Sequence, residues 1–201
     1  METLTNSPNG GFIISGVEMT EETPNLFTQS SNYTANARSR GLHRLGFSFD
    51  VFLATDQDVK AFRAFYLNTR GRLNPFVLDL MPIGFSTDDT PWYNPLFTSV
   101  RNVTVANPIA TGANSMVLAG VSTPIPAGSM FQFPNDSKIY TLLKDARANQ
   151  TVEFFPASRQ VVPASSVLIF DVKPVLRLDE DKTKLNLSKG SSVKLQAWEN
   201  I

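Results

Sequence analysis

The chain has 201 residues, 18 basic and 18 acidic side chains, 42% hydrophobic residues and no cysteine. That length holds one large β domain or two small ones, with enough apolar side chains for a packed core. Balanced charge gives no reason to expect nucleic acid or an anionic membrane as the main partner, and disulfides, thiolate nucleophiles and cysteine metal sites are excluded.

Residues 1–40 are polar and rich in Ser, Thr and Asn, with one apolar island at Phe12-Ile13-Ile14. They read as an extended arm with one short strand. METLTNSPNGG lacks the basic-then-apolar order of a signal peptide, and no apolar run reaches membrane-spanning length, so a soluble chain made in a cytoplasm is expected. On that expectation the Asn-X-Ser/Thr triplets at Asn32, Asn102, Asn135, Asn149 and Asn186 are chance matches.

In LGFSFDVFLA, Leu45, Phe47, Phe49, Val51 and Leu53 alternate with Gly46, Ser48 and Asp50, the period of a half-buried strand. ATDQDVKAFRAFYLNTRGR, residues 54–72, then reads as a helix. Thr55 is its N-cap, Asp58 completes a variant capping box, Asp56 and Asp58 suit the dipole, Arg70 sits in the last turn and Gly71 stops it. Val59, Phe62 and Tyr66 share one face with Phe65 beside them, while Lys60, Arg63 and Asn68 point elsewhere. NPFVLDL is the next strand. Residues 82–98, with Pro82, Asp88-Asp89, Pro91-Trp92-Tyr93 and Pro95, read as a long loop and boundary.

From Val100 the texture changes. VRNVTV, SMVLAG, GSMFQF, KIYTLL, TVEFF and SVLIFDV are short strands between turn-prone segments, which points to a small closed barrel. PVLRL and SVKLQAW then resume longer alternation, with DEDKTK between them. No internal repeat, low-complexity tract or flexible linker is evident. The layout suggests an insertion: an outer domain of 41–98 and 172–201 with 1–40 as its arm, and an inserted domain over 99–171.

The catalytic inventory is thin. His43 is the sole histidine, so multi-histidine metal sites are impossible, and Arg40-Gly41-Leu42-His43-Arg44 reads as a partly exposed strand end rather than a positioned base. Gly10, Gly11 and Gly16 in GGFIISG fit neither a dinucleotide nor a phosphate loop. Asp88-Asp89 and Asp179-Glu180-Asp181 lack the staggered spacing of a calcium loop and read as solvated turns. Glu18, Glu21, Glu22 and Glu153 are the carboxylates open to a glycosidase pairing, which only the fold could create. Trp92 and Tyr93 offer either a sugar-stacking platform or a plug between two domains. The basic cluster Arg38, Arg40, Arg44, Lys60, Arg63, Arg70 and Arg72 lacks interleaved aromatics and reads as facing solvent or an acidic partner.

GLHRLGFSFDVFLATDQDVKAFRAFYLNTRGRLNPFVLDL, with a helix opening on Thr55, Phe65-Tyr66 before Arg70-Gly71 and a strand carrying Phe76, resembles the N-terminal region of tail proteins of long-tailed bacteriophages, in the distal tail protein class. PIPAGSMFQF, KIYTLL, KDARANQ and TVEFFPA look like further pieces of such proteins; the likeness runs from Gly41 to Ile201 and leaves out the first 40 residues. It implies a mainly β fold: a split β-barrel with one α-helix, carrying an inserted small OB-like β-barrel. It also implies an oligomeric ring, usually hexameric, that joins the tail tube to the baseplate hub or tail tip of the virion, assembled in the host cytoplasm. Partners would be other copies of the chain, the tube protein and the hub, with no cofactor and no catalytic residue. A carbohydrate-binding module using the inserted barrel with Trp92 and Tyr93 on host surface glycans is the alternative, and a cell-wall hydrolase the third reading.

Overall fold

The computed structural model describes residues 1–5, 13–79, 102–181 and 188–200. In chain order they form β1 (Glu2–Thr5), β2 (Ile13–Glu22), β3 (Asn25–Gln29), β4 (Ala35–Ser39), β5 (Arg44–Leu53), α1 (Asp56–Thr69) and β6 (Phe76–Asp79). There follow β7 (Thr104–Val105), β8 (Ser115–Ala119), β9 (Met130–Phe131), β10 (Tyr140–Leu142), β11 (Thr151–Phe155), β12 (Val175–Leu178) and β13 (Ser191–Glu199). The protein is mainly β, with one helix among the described residues and sheets that curl into half-barrels.

The alternation in β5 sets the first sheet. Leu45, Phe47, Phe49, Val51 and Leu53 are buried, while Ser48 and Asp50 are only half-buried and Phe52 is exposed. β13 pairs along the whole of β5, from Ser191 opposite Leu53 to Trp198 opposite Gly46, and buries Val193, Leu195 and Ala197 on the same face. The sheet order is β1-β6-β12-β13-β5-β2, antiparallel except for the β1–β6 pair.

Residues 1–40 do not form the expected arm with one short strand. They supply four strands, two of which enter this sheet: β1 buries Leu4 beside β6, and β2 buries Ile14 beside β5. The period of β2 is broken by a bulge between Ser15 and Glu18, where Gly16 takes φ 59°. That slip moves the apolar positions out of phase and disguises the strand.

The helix opens as its sequence dictates. Asp58 N–H donates to Thr55 Oγ1 at 3.2 Å, and Thr55 N–H donates to Asp58 Oδ2 at 2.8 Å. At the other end Arg70 is the C-cap rather than a last-turn residue, in the left-handed region at φ 49°, and Gly71 follows at φ 63°. A Cβ on Gly71 would lie 2.8 Å from Asp181 Cα, so only glycine fits. The fully buried helix face is Asp58, Phe62, Phe65 and Thr69; Val59 and Tyr66 are half-buried and flank it on the same core. Phe65 meets Phe76 of β6 edge-on at 5.3 Å between centroids, so the helix seals the apolar side of the sheet. Lys60 and Arg63 remain exposed, and exposed Asn68 donates to Glu2 Oε1 at 3.0 Å.

The second sheet runs β7-β8-β11-β10-β9 around a separate core that includes Phe131, Phe133, Tyr140 and Phe154. Both of its edges bond to one segment. Leu168 N–H donates to Val103 O at 2.9 Å, while Ile169 and Gln132 exchange backbone bonds of 3.0 and 2.8 Å. Edge backbone groups are thereby satisfied.

The bridges and turns of this sheet follow an internal two-fold pattern that no sequence repeat announces. The ends of residues 103–133 and 140–170 correspond by a constant shift: Ile109 and Ile125 answer to Ala146 and Val162, and Gly112 and Gly128 to Asn149 and Ser165, the last four all at positive φ. The bridge Ile109–Val162 has its twin in Ala146–Ile125, and Gln132–Ile169 maps onto itself. Leu142 N–H to Ser129 O at 2.9 Å answers to Val105 N–H to Ser166 O at 3.0 Å, and the Ser129 and Ser166 hydroxyls donate to Pro126 O and Pro163 O at 2.6 and 2.7 Å. The sequence hides the pattern because TPIPAGSMFQF and QVVPASSVLIF share little beyond Pro126/Pro163, Ala127/Ala164, Ser129/Ser166 and Phe133/Phe170.

Candidate functional site

Three places concentrate polar chemistry or exposed apolar surface. The first lies where the two cores meet. Lys138, just before β10, is 1% exposed, and Glu199 at the end of β13 is 4% exposed. The Lys138 ammonium has three donors and three acceptors: Glu199 Oε2, His43 O at 3.1 Å and His43 Nδ1 at 3.2 Å. Glu199 also accepts from Ile139 N–H at 2.9 Å and Leu45 N–H at 3.3 Å. One ion pair thus ties the start of β5, the start of β10 and the end of β13 together.

Burial pushes the Lys138 ammonium below its ordinary value, with Glu199 opposing. Burial, then the Lys138 charge, also lowers His43, against a raising effect from Glu21. The histidine is not the partly exposed strand end expected from sequence; it is buried, edge-on to Phe155 at 5.0 Å between centroids. Its Nδ1 accepts from an ammonium, so a proton there would set two donors face to face. Below the ordinary value of 6.5 the unfolded chain takes up a proton that folded His43 resists. Stability is therefore expected to be full above that pH and to fall as pH drops toward the lowered folded value. Urea midpoints taken from about pH 7.5 down to about pH 5 should show this slope, and His43→Leu should flatten it. A His43→Leu profile parallel to wild type would refute the assignment.

The second place is an open groove of about 660 Å³ on the side of the first sheet away from α1, lined by Arg44, Arg72, Arg177, Trp198 and Asn200 among others. The Arg44 guanidinium lies 4.2 Å over the Trp198 ring, and that ring lies on Gly46, where a Cβ would come within 2.8 Å. Arg177 donates to Asn200 Oδ1, to Arg72 O at 2.9 Å and to Leu73 O. Arg72 donates through Nε to Asp179 O, and its N–H donates to Asp181 Oδ1 at 3.0 Å. The acidic turn at 179–181 therefore binds an arginine.

The third place is the ribbon β3–β4, in which every residue is exposed. Its register, Asn25 opposite Ser39, is slipped by two residues from that of the β2–β5 ladder, which ends at Glu22 opposite Arg44, and the ribbon forms a sheet of its own. β2 and β5 are joined through this ribbon, which lies outside the six-stranded sheet. Its turn is closed by Ser30 and Thr34 and by Tyr33 N–H donating to Ser30 O at 3.0 Å. Leu26, Phe27 and Tyr33 are 57%, 63% and 83% exposed.

The residues singled out in the sequence scatter. Trp92 and Tyr93 lie outside the described residues, as do Pro82, Asp88, Asp89, Pro91, Pro95, Gly10 and Gly11. Glu18, Glu21 and Glu22 stand exposed along β2, and Glu153 is exposed and paired with Lys144 at 3.1 Å. The basic cluster divides: Arg38 and Arg40 lie on and beside the ribbon, Lys60 and Arg63 on α1, Arg44 and Arg72 in the groove. Among the described residues no group of His, Asp and Glu is arranged to hold a metal ion, and no helix is long and apolar enough to cross a membrane. The Lys138–Glu199 pair was missed because Lys138 sits in a turn-like PNDSK context and Glu199 ends a strand, both ordinary surface settings.

No protein-family model matches the sequence, and no curated protein matches it.

Proposed function

We propose that this chain is a structural subunit of a bacteriophage tail, a copy of a hexameric ring that joins the tail tube to the baseplate hub or tail tip. The observation that carries the reading is the ribbon β3–β4. A lone two-stranded hairpin is marginal in water, and this one exposes Leu26, Phe27 and Tyr33 and pairs with no other strand among the described residues. Such a ribbon suits a subunit whose ordered state is the assembly. On this reading the six-stranded sheet with α1 corresponds to the split barrel expected over 41–98 and 172–201, with β1 and β2 added to it from residues 1–40, and the five-stranded sheet within 99–171 corresponds to the inserted OB-like barrel. The partners are other copies, the tube protein and the hub, and the place is the virion, reached by assembly in the host cytoplasm.

Light scattering on the purified chain should give six times the mass of the monomer, and negative-stain images should show rings. A strictly monomeric chain that binds neither tube nor hub protein would overturn the reading.

Recognition of host glycans is the second reading. It is favoured by the groove, where Arg44, Arg72 and Arg177 suit an anionic sugar, and by the aromatic pair Trp92-Tyr93 in the sequence, a residue type that stacks on sugar rings. Retention on immobilised host glycan that disappears in Trp92→Ala/Tyr93→Ala or Arg44→Ala variants would support it; no retention of wild type would remove it.

A further inference from the structure

We infer that the ribbon β3–β4 docks on the open edge of β2 in a second copy of this chain. The inference rests on the ring reading and names the surface that closes the ring. Residues 23–42 carry two charged side chains, Arg38 and Arg40, and no acidic one. β2 carries Glu18, Glu21 and Glu22, all exposed and none in a salt bridge among the described residues. Arg38 and Arg40 are likewise free of salt bridges there.

β2 is the terminal strand of the six-stranded sheet, so one side of its backbone has no strand partner among the described residues. Unpaired backbone of this kind is a ready template for a strand from another molecule. The ribbon has two such sides of its own, one on β3 and one on β4. Among the described residues neither strand of the ribbon pairs with β2 of its own chain, and the two form a separate sheet. The acceptor is another copy, whose glutamates meet the arginines while main-chain bonds extend the sheet and Leu26, Phe27 and Tyr33 leave water. Ribbon and edge are different patches of one chain, so the contact is head-to-tail, and a head-to-tail contact whose rotation closes gives a ring.

The test is a charge exchange. One variant carries Arg38→Glu and Arg40→Glu; the other carries Glu18→Lys, Glu21→Lys and Glu22→Lys. All five positions are exposed, and circular dichroism checks that both variants fold. Each variant alone is expected to need about tenfold or more higher concentration to assemble than wild type, because like charges then face each other. Mixed in equal amounts they should recover ring mass, since every ribbon then meets an edge of opposite charge in an alternating ring. Wild-type rings with both variants assembling normally, or both failing without recovery on mixing, would overturn the docking surface and leave the ring reading standing. A wild type that forms no ring would remove both.

Discussion

Glu199→Gln is expected to destabilise the folded chain by about 3–5 kcal/mol, the range for breaking one partner out of a buried ion pair. The carboxylate accepts from Lys138 Nζ, from Ile139 N–H at 2.9 Å and from Leu45 N–H at 3.3 Å. An amide in its place keeps one oxygen and turns an NH₂ donor toward groups that are themselves donors. The Lys138 ammonium, 1% exposed, would then keep only two acceptors, both on His43, and no counter-charge. Lys138→Met leaves the opposite defect, a buried carboxylate held by two backbone N–H groups. Each single variant should therefore cost several kcal/mol, and the double variant Lys138→Met/Glu199→Gln should cost clearly less than the two added together. Urea unfolding of the four proteins measures the coupling. A Glu199→Gln midpoint within about 0.5 kcal/mol of wild type would show that the pair does not hold the two cores together.

That junction illustrates what the sequence withheld. Its members stand at positions 43, 138 and 199, and nothing local to any of them announces burial. Helix and strand signals are local, so they were legible: the Thr55–Asp58 box, the alternation of β5 and β13, and the short strands of 102–170 all follow from neighbouring residues. The helix face was nearly right. Sequence periodicity centres it on Val59, Phe62 and Tyr66, whereas the fold turns it toward Asp58, Phe62, Phe65 and Thr69, because the capping box draws Asp58 inward and Phe65 is claimed by Phe76. Three things needed the fold: the sheet strands within 1–40, disguised by the Gly16 bulge; the two-fold pattern of the second sheet, carried by turn geometry more than by residue identity; and the separate ribbon β3–β4, which polar residues such as Asn25, Thr28 and Gln29 make look like plain loop. Of the candidate ligand residues, Trp92 and Tyr93 lie outside the described residues, and the arginine groove assembles side chains from three distant parts of the chain.

Phe62→Asp is expected to be the most damaging single change in the helix. Phe62 has no exposed surface and packs in the core that runs from Leu4 of β1 through β5 to Leu195 of β13. Truncating a buried phenylalanine to Ala costs about 3–5 kcal/mol through lost transfer energy and the cavity left behind. An aspartate adds the cost of burying a carboxylate or of protonating it, so the total should exceed that of Phe62→Ala measured alongside. Arg63→Asp, one residue on and exposed, should stay within about 0.5 kcal/mol, which separates loss of packing from loss of helix propensity. Far-ultraviolet circular dichroism under urea reads all three. Because α1 is the cover of the first sheet and makes no contribution to the core around Phe131, the Phe62→Asp chain should lose the first sheet at a lower urea concentration than the second, turning one transition into two. A Phe62→Asp protein that unfolds at the wild-type midpoint would mean that the helix is not what seals the sheet, and the exposed face it leaves would have to be covered by something else.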